Sequence, residues 1–490
     1  MRIWGAVNLG VGVRTAKRVL SCLLVALALS VAFTWQGVQA QTGWSTPSVI
    51  FRTDGYATRP RLVADATGDL HLLFFLREAT ESGAGTATMI MYSRLHDGVW
   101  SAPVDVLVGA GTNSPSVAVD ARGILHVVWE GGTQGELAYS QAHVSQAGTA
   151  RGWSQPRLLS EPNTFDSDIL AVEDGTLRLV YSTGSGYVWY QESADGGTSW
   201  STPTTVAEPE TQGCTTNNPR MAVDSAGSIH VVWTELKLPS GWPPCGALYS
   251  DSLDHGRNWS IPVRIAGPGY GQINLLATDP STIFLAWNAM VGIGERKFTR
   301  SIDGGFGWAS AQLLTSGLRG GFTGYPSMAA DSAGVIHLVT SVDRPRNESM
   351  AVYHLAWNGT AWSDPVLVST GAIGFRSVEL PWIVVSNGNQ LHVVYEDDFQ
   401  RIWHTTRSVS ALPIPASELL PPPQTQADAT REPAGTQTVF VATPRPDLSG
   451  LPEIVDPTVS PRETFLFGLA PAGILVGLVV LGRLLLRFRG

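Results

Sequence analysis

The chain has 490 residues, 15% of them charged, with 52 glycines and 17 tryptophans, a balance suited to many short strands joined by tight turns. A net charge of -9 with no basic stripe excludes a nucleic-acid partner. Cysteine numbers only three, too few for a disulfide scaffold.

Residues 1–40 read as an export signal. Arg14, Lys17 and Arg18 precede an apolar run from Val19 to Phe33, and Val38-Gln39-Ala40 offers a small-residue cleavage site before Gln41. Cys22 opens that run instead of following it, so it is not a lipidation cysteine. The alternative is an uncleaved N-terminal anchor.

From 41 to 411 two landmarks alternate, and internal repeats of this kind decide the fold. One is a Trp-led strand at Trp44, Trp100, Trp153, Trp200, Trp259, Trp308 and Trp362, at intervals of 47 to 59 residues. The other is a hairpin of the form P-x-x-x-x-D-x-x-G-x-x-H-V-V-W, clearest from Pro115 to Trp129 and from Pro219 to Trp233. Its D-x-x-G turn separates two apolar, β-rich runs. A third strand follows and leads into a turn of the form S-x-D-x-G-x-x-W. The first full copy is Ser193, Asp195, Gly197 and Trp200. The second is Ser252, Asp254, Gly256 and Trp259, and the third Ser301, Asp303, Gly305 and Trp308. The short Asp can accept backbone amide hydrogen bonds and Gly supplies a positive φ, so a turn repeated this often reads as a hairpin staple. No metal site and no cofactor is expected from it.

Each unit thus holds four short strands in about 53 residues, the signature of a β-propeller. The units predict an all-β, seven-bladed propeller, with six blades as the alternative if one weak unit is misread. The chain begins with a fourth strand (Trp44 to Phe51) and ends with a third (Arg401 to Ser408), so the N-terminal strand is expected to complete the last blade. His71, His126, His230, His337 and His392 recur at one position of the second strand, and interblade packing and hydrogen bonding are expected of them.

In such blades the loops before strand one and between strands two and three share a face. Cys214 and Cys245 both fall there in the fourth blade, so a disulfide is expected, worth about 3 kcal/mol, with two free thiols as the alternative. The same face gathers Glu130, Trp242, Trp382 and the cluster Glu396, Asp397 and Asp398 as a candidate binding surface. Near the first-strand starts come Arg59, Arg61, Asp166, Asp168, Asn218, Arg220, Tyr325, Arg376 and Glu379.

Residues 412–462, rich in Pro, Thr and Ala, are expected to form a disordered stalk. In 463–490, an uncharged apolar run from Phe465 to Gly482 precedes Arg483, Arg487 and Arg489, which reads as one transmembrane helix with a short basic cytoplasmic tail. The expectation is a single-pass cell-membrane protein, monomeric, with the propeller outside and bound to the membrane through its C-terminal helix.

The S-x-D-x-G-x-x-W turns, lying between third and fourth strands, resemble the Asp-box (BNR) repeats of the sialidase superfamily, and the resemblance spans 41–411. It implies a sialidase-like propeller. Sialidases clamp a sialic-acid carboxylate with three arginines and use a Tyr nucleophile, a Glu and an Asp acid/base. The resemblance therefore makes Arg59 or Arg61, Arg220 and Arg376 a candidate triad, and Tyr325 with Glu235 a candidate pair. The stretch from Tyr56 to Leu62 keeps an Arg and a Pro of the family's F/Y-R-I-P motif but not the motif itself. Two functions follow as expectations. One is a surface-anchored, non-catalytic propeller binding an extracellular glycan or protein through its loop face. The alternative is a membrane-tethered exo-sialidase or related glycoside hydrolase. Convergence of the arginines on the central channel favours the enzyme; scatter argues against it.

Overall fold

Each D-x-x-G turn closes a hairpin between two apolar runs, and the hairpins build seven antiparallel sheets arranged as propeller blades. The computed structural model describes residues 43–77, 88–109, 115–131, 134–291, 294–314, 324–344, 348–369 and 378–417. The expected export signal and transmembrane run, and most of the expected stalk, lie outside these residues. Among the described residues no helix is long and apolar enough to cross a membrane.

The innermost strands, in blade order, are Tyr56–Ala64, Ser116–Val119, Thr164–Ala171, Cys214–Val223, Tyr270–Ala277, Ser327–Ala330 and Val378–Ser386. The ring closes as the phase of the repeat predicts. Ser48–Arg52 pairs antiparallel with Arg401–Ser408 and becomes the outer strand of blade seven. The core is divided among the interblade seams, where Trp129, Trp233 and Trp287 are fully buried.

Three expectations are corrected by the structure. Not all the landmark tryptophans start outer strands: Trp100 lies in the short strand Val99–Trp100, but Trp200 and Trp259 precede strands that begin at Thr204 and Val263. In the three full S-x-D-x-G-x-x-W copies the ring instead turns back, edge-on, against a tyrosine in the third strand of the preceding blade. Trp200 meets Tyr139 at 5.4 Å, Trp259 meets Tyr190 at 5.5 Å and Trp308 meets Tyr249 at 4.9 Å between ring centroids. Such edge-to-face pairs add about 0.5–1.5 kcal/mol beyond area burial.

The recurring histidines work within blades, not between them. His71 Nδ1 hydrogen-bonds with the Tyr92 hydroxyl at 2.8 Å, and its Nε2 with Asp65 of the D-x-x-G turn at 3.1 Å. His230 repeats this with Tyr249 and Asp224, and His337 with His354 and Asp331. The interblade step falls to the partner one residue further along the relay, a tyrosine at Tyr249 and a histidine at His354 and His404, which meet Trp308, Trp44 and Trp100.

The S-x-D-x-G-x-x-W turns interlock with that relay. Ser193 Oγ donates to Asp195 at 2.8 Å and accepts the Gly197 amide at 2.8 Å, while Asp195 also accepts the Ser199 amide at 2.8 Å. The turns at Asp254 and Asp303 reproduce the pattern, with the Gly256 amide donating to Ser252 Oγ and the Gly305 amide to Ser301 Oγ, both at 2.8 Å. The Ser199 hydroxyl, donating to Asp195 at 2.6 Å, and the Asn258 side-chain amide, donating to Asp254 at 2.6 Å, together with the backbone amides of the same two residues, hold these carboxyls down at about 2.

The third correction lies at the glycines of these turns, which are more than hairpin staples. Gly256 and Gly305 do take the expected positive φ, 83° and 98°. Their backbone also presses on the preceding blade: a Cβ at Gly256 would run into the Tyr190 ring, and one at Gly305 into the Tyr249 hydroxyl. The staple is thus an interblade contact as well as a turn, because the tyrosine that meets the following tryptophan also lies against the glycine.

Contacts of the ring run past the boundary expected at 411. Ile414 N donates to Asn387 O at 2.9 Å and Ser417 N to Ala66 O at 2.8 Å, so the chain crosses the D-x-x-G face before continuing.

Candidate functional site

Five inner strands carry a bulge near the face opposite the D-x-x-G turns. The pairing register slips between Thr58 and Arg61, Phe165 and Ser167, Asn217 and Arg220, Gly271 and Asn274, and Glu379 and Trp382. In each, one non-glycine residue takes a positive φ: Arg59 (60°), Asp166 (27°), Asn218 (52°), Gln272 (54°) and Leu380 (51°). Such backbone costs about 1–3 kcal/mol per residue and concentrates at functional sites. Repetition around the ring makes it a feature of the channel mouth. Pro60, Pro219 and Pro381 follow three of these residues and fix the re-entry into the strand.

Below the bulges a second tier lies at one register position per blade: Arg61, Ser116, Asp168, Arg220, Asn274, Ser327 and Trp382. Most of these side chains stitch neighbouring blades. Ile169 N donates to Ser116 Oγ at 2.9 Å, Met221 N to Asp168 Oδ2 at 2.9 Å, and Ile383 N to Ser327 Oγ at 3.2 Å. Asn274 Nδ2 donates to Pro326 O at 2.9 Å and Trp382 Nε1 to Leu62 O at 3.0 Å. The Arg61 guanidinium covers the Trp382 ring at 4.2 Å, a cation–π contact made stronger by burial.

Charges meet across the channel. Burial and the Arg220 guanidinium lower the Arg61 pKa to about 9, which still leaves it charged at neutral pH. Burial raises the Asp168 pKa although Arg220 and Arg61 pull it the other way. Arg220 sits 5.5 Å from the Tyr325 ring centre, and burial followed by the Asp166 charge raises the pKa of the Tyr325 hydroxyl. At the mouth Arg59 approaches Asp166 at 3.9 Å, while Asn217 Nδ2 donates to the same carboxylate at 2.8 Å. The Arg59 side chain stays 21% exposed, whereas Arg61 and Arg220 are buried.

The structure therefore brings together Arg59, Arg61, Arg220 and Tyr325 from blades one, four and six. Arg376 lies outside the described residues. Glu235 does not join Tyr325. Its buried carboxylate accepts the Glu210 amide at 2.8 Å and the Thr211 hydroxyl at 2.5 Å, and pairs with Arg264 at 3.3 Å. Two members of the expected binding surface are also internal. Glu396 is buried and accepts the Arg59 amide at 2.7 Å. Asp397 is buried and accepts from Arg401 Nε at 2.8 Å. Glu396 is drawn in by the bulge amide at Arg59 and Asp397 by the Arg401 guanidinium. Glu130, Trp242 and Asp398 stay partly exposed on the mouth face. Cys214 and Cys245 are disulfide-bonded there, with 6.5 Å between their Cα atoms. Asp166 and Asp168 are legible in the sequence as first-strand residues, but nothing in it pairs them with the arginines. Asn217 and Gln272 carry no sequence signal beyond their place in the repeat.

Ring and channel together define an all-β, seven-bladed propeller. No protein-family model matches the chain, and no curated protein matches it either. Among solved structures it is similar to the Hadza microbial sialidase Hz136, with 16% identity, a TM-score of 0.45, and coverage of 74% of this chain and 68% of that one. It is similar also to a PL25 polysaccharide lyase, an ulvan lyase bound to -[GlcA(1-4)Rha3S]-, with 12% identity, a TM-score of 0.50, and coverage of 74% and 99%. A third is the intramolecular trans-sialidase from Ruminococcus gnavus in complex with oseltamivir carboxylate, with 11% identity, a TM-score of 0.40, and coverage of 75% and 97%. At 12% identity the likeness to the ulvan lyase is one of fold alone.

Proposed function

We propose that the chain is a non-catalytic carbohydrate-binding propeller, displayed from a membrane-anchored stalk, whose channel mouth takes an acidic sugar. Arg59, Arg61, Arg220 and Tyr325 converge on one channel, as an enzyme would also need. The observation that carries the binding reading is that Arg59 is the one arginine of the three with a partly exposed guanidinium, while the acid–base candidates are engaged elsewhere. Three arginines stand there against the carboxylates of Asp166, Asp168 and Glu396, and of the arginines Arg59 is the one that solvent reaches. A carboxylate entering there exchanges the long Arg59–Asp166 approach for a charge-assisted hydrogen bond. The backbone is already bulged toward that position, so little ordering opposes binding.

Binding is favoured over hydrolysis by the state of the acid–base groups. Glycoside hydrolysis needs a nucleophile and an acid with matched pKa within reach of one bond. Burial keeps Tyr325 protonated, Glu235 is committed to the Thr211 and Arg264 cluster, and Asp168 holds the Met221 amide. The tail also suits display. It crosses the D-x-x-G face at Asn387 and Ala66, so a tether leaves the ring on the side away from the mouth.

The test is calorimetric binding of the purified full-length chain to oligosaccharides ending in a sialic or uronic acid, beside their neutral counterparts. Acidic ligands are expected to bind at least about tenfold more tightly, and Arg59→Ala to remove that preference without lowering the melting temperature. Equal binding of acidic and neutral forms would sink the proposal. Release of the fluorophore from a fluorogenic sialoside, abolished by Arg220→Ala, would establish the hydrolase instead.

A further inference from the structure

Blade two ends in an outer strand of only two residues, Arg157–Leu158, and the chain then arcs from Leu159 to Asn163 before entering blade three. The loop between the second and third strands of blade three is equally brief, Gly184-Ser185-Gly186. Between these two short connections a cavity of about 930 Å³ opens on the mouth face of the ring. That volume lies within the range of small-molecule sites.

The walls have a definite chemistry. Trp189 is half-buried, its inner side set in the apolar seam between blades two and three. Tyr187 stacks beside it at 5.6 Å and 23°, which stiffens the platform. Phe165 and the buried Tyr181 line the cavity together with Glu161, Asn163 and Ser185. Glu161 is close enough to Tyr181 for its charge to reinforce the effect of burial on the phenol. Asn163 takes a positive φ of 59°, its carbonyl accepts the Gly184 amide at 2.7 Å, and its strained backbone places the amide side chain at the rim. A Cβ at Gly184 would lie 3.3 Å from that of Asn163 and 3.4 Å from the Phe165 ring, so glycine keeps this wall open.

An aromatic floor with hydroxyl, amide and carboxylate groups around its edge is complementary to a pyranose. The C–H face of a sugar stacks on the indole, and its hydroxyls alternately donate and accept at the rim. The one charged wall residue is an acid, so an anionic sugar is disfavoured here, the reverse of the channel mouth. Phe165 lines this cavity and the next residue, Asp166, turns to the mouth, so the two sites are separated by a single strand. We propose that this cavity is a second saccharide site, which takes a neutral sugar stacked on Trp189 and hydrogen-bonded by Glu161, Asn163 and Tyr181. It does not rest on the acidic-sugar reading of the mouth.

The experiment screens the full-length chain against an array of neutral tetrasaccharides of α- and β-linked hexoses and N-acetylhexosamines, and measures array hits by calorimetry. At least one is expected to bind in the millimolar range or tighter. Trp189→Ala should weaken it about tenfold or more. Ser185→Trp, which fills the cavity from its exposed rim without touching the core, should do the same. This second variant decides the matter if Trp189→Ala fails to fold. Arg59→Ala should leave neutral-sugar affinity within about twofold. The proposal is overturned if no neutral tetrasaccharide binds at millimolar concentration, or if binding survives Ser185→Trp. Loss of neutral-sugar binding in Arg59→Ala would place the sugar in the mouth and overturn it too.

Discussion

Gly197→Ala should damage the ring far more than Gly196→Ala, although the two glycines are adjacent and both have positive φ, 85° and 66°. Both variants place a side chain in left-handed backbone, which costs about 1 kcal/mol. The difference lies in what the new methyl meets. At Gly196 nothing lies within 4 Å, whereas at Gly197 the methyl runs into the hydroxyl of Tyr139 from the preceding blade. That hydroxyl hydrogen-bonds with His126 at 2.8 Å and donates to Gln141 at 2.8 Å, and the ring is buried against Trp200. Moving it adds about 1–3 kcal/mol for unsatisfied buried polar groups and about 1–3 for overpacking. The expected losses are therefore about 1 kcal/mol for Gly196→Ala and about 3–7 for Gly197→Ala. Equilibrium urea unfolding, followed by tryptophan fluorescence, reads the difference as a shift in midpoint. Where unfolding proves irreversible, the half-life at fixed temperature ranks the variants. Equal losses would refute the claim that the staple glycine is an interblade contact and reduce it to a turn requirement.

Acid should loosen the ring before it reaches carboxylate pH. Burial lowers His354 and His404 to about 3 and His392 to about 4, against about 6.5 in an unfolded chain. Between pH 6.5 and about 4 the unfolded state therefore binds protons that the folded state refuses, and stability falls as pH falls, by about 2 kcal/mol per histidine at pH 5. Burial holds Asp168 and Asp397 above the ordinary range, which opposes this trend. A melting temperature as high at pH 5 as at pH 7 would contradict the histidine account. Replacing Cys214 and Cys245 together by Ser releases a loop of 31 residues and should cost about 3–4 kcal/mol, read by the same unfolding assay; an unchanged midpoint would mean the mouth face of blade four is held by its Glu235 cluster alone.

The sequence made the ring legible because its repeat states the same grammar seven times. Prolines, D-x-x-G turns and second-strand histidines recur at fixed offsets, and the phase of the first and last strands implies how the ends meet. What it concealed were partners across strands. A histidine such as His71 shows its period, but its Tyr92 partner is set by the register of the third strand, which no local pattern states. Tryptophans such as Trp200 sit in a β-like pattern yet are placed by a ring contact in the neighbouring blade. Gly256 and Gly305 likewise announce a turn, while the tyrosine each one abuts belongs to another repeat. At the site, the positions of Arg59 and Arg220 were legible from the hairpin pattern. Their bulges were not, because Arg59, Asp166, Asn218, Gln272 and Leu380 share no turn chemistry. Glu235 shows the limit most plainly: the end of its strand is readable, whereas the direction of its carboxylate follows from the amides of the loop at Glu210 and Thr211.

The two faces of the ring differ in how their polar groups are satisfied, and this bears on where function lies. On the D-x-x-G face, each Asp serves its own turn amides and a histidine, as Asp65 serves Thr67, Asp69 and His71. The S-x-D-x-G-x-x-W turns on the same face are likewise closed upon themselves. Groups so fully engaged have little left to offer a ligand, and their rearrangement would strand buried polar atoms. The mouth face keeps the opposite character. Its inner strands hold non-glycine residues at positive φ, its exposed arginine approaches a carboxylate only at 3.9 Å, and its aromatic cavity is open. Strained backbone persists only where surrounding structure enforces it, and here the stapled face, the disulfide and the interblade relay supply that enforcement. The described part of the tail adds to the asymmetry, since it packs across the satisfied face through Ile414 and Ser417.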